Sequence, residues 1–242
     1  MGNEMRYGRT RLDACGLAGY MALYEATKDE GHQRMVEKLL ANAVTGEEMH
    51  PAWARLLFAD VDSWQETIKL VAQRELPAPV RLEDAFDTLP FRMAYEMKLN
   101  RMAWVSWVAE DFRGLHQRLF DEKSGLHGAA EGKGFCAEST GWFLMALVDC
   151  IDICDQQLYE HWRCLVDIFR VTLRGILRSG RVEGAELQLA YCILKAVRMG
   201  LIDSERYLAQ GLELAKAEYH SQDVGIPYML AAEKALMGRC GA

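Results

Sequence analysis

FCAESTGWFLMALVDCIDIC, residues 135–154, is the stretch that decides the fold. Trp142, Phe143, Leu144, Met145, Leu147 and Val148 leave it no polar face, so it reads as a helix buried on every side. The next segment, about Gln157 to Leu177, is charged and amphipathic, and Ser179-Gly180 ends it. An apolar helix followed by a more polar partner is therefore the unit to look for in both directions.

Towards the N-terminus the unit recurs. An apolar, Ala- and Gly-rich helix runs from about Leu12 to Ala26 with Leu17, Tyr20, Met21, Leu23 and Tyr24, and Thr27 to Gly31 breaks it. Its partner has Met35, Val36, Leu39 and Leu40 as an apolar stripe and stops at Thr45-Gly46. Ala52 to Phe58 is the next apolar helix, and Asp62 or Ser63 reads as the N-cap of a partner carrying Ile68, Leu70 and Val71. After Pro77 and Pro79 a third pair starts at Leu82 and continues past Asn100 to Phe120. Towards the C-terminus, Leu187 to Met199 pairs with Tyr207 to Tyr219, and Ile226 to Met237 stands without a partner.

Eleven helices alternate, six apolar and five polar, with a period near forty residues and no strand signal. Such hairpin repeats close as an open solenoid or as a toroid. The apolar helices exceed what a one-sided solenoid needs, which favours a ring with those helices inside. The expected fold is all-α, a single α/α toroid over residues 1–242.

Composition narrows the function. A net charge of -7 and a pI near 5.5 supply no basic stripe, so nucleic acid is not the expected ligand. No run is apolar enough to span a bilayer, and the first residues lack a signal peptide's apolar core, so no membrane partner and a cytoplasmic location are expected. Seven cysteines without C-x-x-C pairs fit a reduced protein. Cys150 and Cys154 share a helical face and could ligate a metal, but core filling is the reading adopted, and no metal or cofactor is expected.

Leu82-Glu-Asp-Ala-Phe-Asp-Thr-Leu-Pro-Phe91 concentrates Glu83, Asp84 and Asp87 at one helix start, where orphan N–H groups and the helix dipole favour acids. On its own that is capping. The stretch also resembles the "L-D-G-L-Y-M-x-x-P-F" of the unsaturated rhamnogalacturonyl and glucuronyl hydrolases, glycoside hydrolase families 105 and 88. Phe135 to Asp149 resembles their "W-A-R-G/S-x-G-W-x-x-x-x-L-A-D", Gly16 to Thr27 their first inner helix, Ala190 to Asp203 their "A-Y-A-I-A-K-G-I-R-K-G-Y-L-D", and Gly225 to Ala231 their closing "G-x-G-A-F-I-L-A". The five occur in order across nearly the whole chain.

The resemblance implies an (α/α)6 barrel with a pocket at one end, here without the outer helix that would precede Arg11. That loss would bare the sides of the Leu12 and Ile226 helices, and a homodimer through this open side is expected. It also implies removal of a terminal C4=C5 unsaturated uronic acid from a short oligosaccharide, a carboxylic acid protonating the vinyl ether and helping to activate water. The family's proton donor falls on Glu83, with Asp84 one step along. Its second Asp falls near Met49-His50-Pro51, making His50 the substitute, and Trp142 matches a pocket aromatic. Other positions depart from the pattern. The Arg of "W-A-R" is Glu138, the preceding Trp is Cys136, and the loop of the pocket His is shortened, leaving His127. Trp53, Arg11, Asp13 and Tyr228 stand near other inner helix starts. Two alternatives remain: a degenerate barrel that binds a sugar or a protein, and a sugar epimerase using His50 and His127.

Overall fold

The computed structural model describes residues 2–41, 61–74, 76–100, 102–154, 156, 158–218 and 225–240, and the backbone alone for residues 2–14, 39–41, 61, 239 and 240. Ten helices are described: α1 (Gly2–Thr27), α2 (Glu30–Ala41), α3 (Val61–Ala72), α4 (Asp84–Lys98), α5 (Val105–Leu119), α6 (Ala137–Ile153), α7 (Tyr159–Ser179), α8 (Glu186–Arg198), α9 (Ser204–Leu214) and α10 (Ile226–Cys240). The expected helix at Ala52 to Phe58 lies outside the described residues.

Helix α6 is the axis of the core. Every residue from Ser139 to Ile151 is buried, as its largely apolar sequence requires. Its neighbours follow from the alternation in the sequence. Helices α4, α6, α8, α10 and α1 pack side by side in that order as an inner arc, while α2, α5, α7 and α9 each lie against the inner helix before them. Helix α7 shows what an outer helix needs. It buries Leu165, Val166, Ile168, Phe169, Thr172, Leu173 and Ile176 on one stripe and ends at Gly180 in the left-handed conformation (φ 67°). The all-α, two-layered arrangement expected from the sequence is the one observed.

Several boundaries move. Helix α1 starts ten residues earlier than its apolar pattern, so the residues before Arg11 belong to this same helix. Neither Asp62 nor Ser63 caps α3, which already includes both. The third pair breaks at residues 99–104, where the buried Glu96 carboxylate takes the Asn100 side-chain amide and the Trp104 N–H. A small hairpin, β1 (Phe120–Asp121) with β2 (Leu126–His127), follows α5 and was not legible as strand, because two residues are too few for alternation. Helices α1 and α10 approach closely enough that a Cβ on Gly225 would collide with Gly16 and Cys15.

Candidate active site

Helices α4 and α6 run parallel. Phe86 near the start of one packs on Trp142 near the start of the other, at 5.0 Å between ring centroids, while Ile153 at the end of α6 packs against the cluster of Ile68, Val71, Phe91 and Ala94. Their N-termini therefore share one end of the arc, and the residues singled out by sequence sort themselves there.

Asp84 is a cap. Its Oδ2 accepts the backbone N–H of Arg81 at 2.9 Å and of Val80 at 3.3 Å, and its Oδ1 accepts the Arg81 guanidinium at 2.9 and 3.0 Å. Both oxygens are occupied by the turn that launches the helix. Glu83, at the N-cap position itself, makes no capping hydrogen bond. Its Oε1 lies 3.3 Å from Arg81, and its Oε2 is buried and accepts no hydrogen bond among the described residues. A buried carboxylate oxygen without a donor is costly unless something else supplies one. Of the two acids, Glu83 is the one with capacity to act on a ligand.

Trp142 is only 4% exposed, so contact with a sugar is confined to its remaining edge. Glu138 is exposed in the first turn of α6. Tyr228 stacks on Tyr20 at 4.2 Å, and burial, with Tyr228 as partner, pushes the Tyr20 hydroxyl up to about 12. His50 and Trp53 lie outside the described residues, as do the side chains of Arg11 and Asp13.

His127 sits elsewhere, in β2, where it packs on Phe143 (5.5 Å) and Phe120 (5.0 Å). Phe143 in turn meets Phe112 of α5, so His127 is on the outer-layer side of α6, away from the Phe86–Trp142 contact. It is 1% exposed, its Nε2 lies 2.9 Å from His116 Nδ1, and its own Nδ1 has no hydrogen-bond partner among the described residues. Burial, with a smaller contribution from His116, pulls its pKa down to about 3, and burial lowers His116 too. At neutral pH both rings are uncharged, and one proton lies between them. The loop that follows is tied back to the start of α4 by Leu82 N–H on Ala129 O (3.1 Å).

Sequence reasoning passed over a second polar group at the other end of the inner helices. Asp149 Oδ1 accepts from Tyr191 (2.6 Å) and Lys195 (2.9 Å), Lys195 also meets Asp152 (3.0 Å), and Arg198 pairs with Glu233 (2.6 Å). Burial opposes the Lys195 charge, but Asp149, Tyr191 and Asp152 outweigh it and hold the ammonium well above its usual range. The network joins α6, α8 and α10 and belongs to barrel closure. A signal was present: Asp149 interrupts an apolar run, and Tyr191, Lys195 and Arg198 fall on one face of α8.

No model of a known protein family matches the sequence, and no curated protein matches it either. Solved structures do match. A Clostridium acetobutylicum glycoside hydrolase from family 105 superposes with a TM-score of 0.73 at 16% identity, over 96% of this chain and 93% of that one. A possible member of the same family from Klebsiella pneumoniae gives 0.75 at 15% identity, over 95% and 82%. A polysaccharide lyase gives 0.71 at 13% identity, over 94% and 90%. The chain thus has the all-helical fold of the family 105 glycoside hydrolase structures, a fold that also appears in a protein described as a lyase.

Proposed function

We propose that the chain is a glycoside hydrolase-type enzyme working where α4 and α6 begin, and that it releases a terminal C4=C5 unsaturated uronic acid from a short oligosaccharide. The observation that carries this reading is Glu83, a carboxylate at the position the family resemblance assigns to the acid, with one buried oxygen uncommitted. In the reaction a proton goes to C4 and the oxygen of water to C5, so one group must give a proton and take one back. Arg81, 38% exposed, is the cation at hand for an anionic sugar, in the place of the family Arg that Glu138 replaces.

Turnover of unsaturated disaccharides by Glu83→Gln and Asp84→Asn separates the two acids. The first should lose 100-fold or more, the order expected for a general acid–base group. The second weakens the bonds to Val80 and Arg81 and should lose about 1 kcal/mol of stability while keeping turnover within a few-fold. The reverse pattern would move the role to Asp84, and indifference to both would remove this stretch from the chemistry.

One observation favours a second reading, a sugar-binding barrel without turnover: Arg81 already engages both acids. Binding without consumption of the double bond would select it. The epimerase reading loses support, since His127 is sealed in the outer layer against His116.

A further inference from the structure

A cavity of about 450 Å³ lies between α3, α4 and α5, far along α4 from Glu83, and belongs to the size class of small-molecule sites. Ala72, Leu76, Phe91 and Val108 give it apolar walls. Trp104 at 47% and Trp107 at 60% exposure also line it, with ring centroids 4.3 Å apart and planes inclined at 50°. Single exposed apolar residues are ordinary, but two adjoining indoles beside a concavity of this size mark a contact surface.

The charges around the cavity are spent within the protein. Arg92 Nη1 pairs with Asp111 (3.1 Å), its Nη2 donates to the Leu76 carbonyl, and Arg74 is engaged as well. The buried Glu96 carboxylate takes Asn100 Nδ2 (3.0 Å to each oxygen) and the Trp104 N–H (2.8 Å). What stays open is uncharged: the Tyr95 hydroxyl, the Gln73 amide and the indole N–H groups of Trp104 and Trp107 have no hydrogen-bond partner among the described residues. The turn that carries the indoles is firmly specified, since Glu96 ties it at Asn100 and Trp104 and Met102 is held at φ 63°, a left-handed conformation that a long side chain rarely adopts.

The geometry points to a binding site for an uncharged oligosaccharide, its pyranose rings laid on the Trp104 and Trp107 indoles and its hydroxyls taken by Tyr95, Gln73 and the two indole N–H groups. A pyranose suits this set because it is amphipathic. Its C–H face packs on an aromatic face, while its equatorial hydroxyls project around the rim as donors and acceptors. A purely apolar segment closing over the groove would leave those polar groups unpaired, each at the cost of a lost hydrogen bond. A uronate would find its cations already committed to Asp111 and the Leu76 carbonyl. The site is separate from the Glu83 end of the barrel and does not depend on turnover there.

The test follows the indole N–H resonances of Trp104 and Trp107 by two-dimensional NMR, assigned with Trp104→Phe and Trp107→Phe, while neutral cellotetraose and xylotetraose are titrated in. At least one of the two should shift both resonances, with an affinity that changes less than about twofold when salt is raised tenfold. Trp104→Ala and Trp107→Ala should each weaken binding about threefold to tenfold, and Trp107→Phe should retain most of it. Charged tetragalacturonate should bind no more tightly than the neutral sugar. Alanine variants that are folded by circular dichroism and bind like the wild type would overturn the proposal, as would tighter, salt-sensitive binding of tetragalacturonate. Failure of both neutral sugars to move either resonance would overturn it too, and resonances that move with protein concentration alone would give the groove to a second copy of the chain instead.

Discussion

Replacing His127 with Gln should make the protein less sensitive to acid. In the folded state burial, helped by His116, pulls the His127 pKa down to about 3, whereas an unfolded chain titrates near the ordinary 6.5. The unfolded state therefore binds the extra proton first, and folding stability falls as pH drops from 6.5 towards 3. Each pH unit within that window costs about 1.4 kcal/mol, so His127 alone removes about 2 kcal/mol between pH 6.5 and pH 5. The ring is 1% exposed, so solvent does little to screen this cost. Gln keeps a group able to bond His116 Nδ1 but does not titrate. Urea unfolding of both proteins at pH 7 and pH 5 gives a double difference that cancels the titrating groups not in contact with His127. The variant should lose about 2 kcal/mol less than the wild type over that interval. Equal losses would refute the buried, neutral assignment of His127.

Three further outcomes follow from the packing, and a fourth from the family resemblance read in the sequence. Lys195→Met leaves Asp149 without its ammonium in a buried setting and should cost about 3–5 kcal/mol in thermal or urea unfolding, part of which adding Asp149→Asn restores. Gly225→Ala forces α10 away from Gly16 and Cys15 of α1 and should destabilise by about 1–3 kcal/mol, seen as a lower melting temperature. Met102→Gly relieves the left-handed backbone of the α4–α5 turn and should raise stability by up to about 1 kcal/mol. A homodimer through the sides of α1 and α10 is expected in light scattering at micromolar concentration, and a clean monomer would rule it out.

The fold was readable because an inner helix buried on all sides, such as α6, has to be apolar over most of its length, whereas an outer helix such as α7 needs only a stripe. That difference is written one residue at a time. The site was readable less evenly. Glu83 and Asp84 look alike in sequence, and only the turn geometry, with Arg81 folded back on Asp84, separates an acid with both oxygens engaged from one whose buried Oε2 has no donor among the described residues. His127 gave no hint of its fate, because its burial depends on Phe120, Phe143 and His116 arriving from three elements.

The central claim is that Glu83 serves hydration of an unsaturated uronic acid. The most direct measurement is the absorbance of the conjugated C4=C5 bond when the purified protein meets unsaturated rhamnogalacturonan, glucuronyl or chondroitin disaccharides, beside Glu83→Gln. Loss of that absorbance with at least one of them, absent in the variant, is the predicted result. No loss with any of them, in protein shown to be folded, would contradict it.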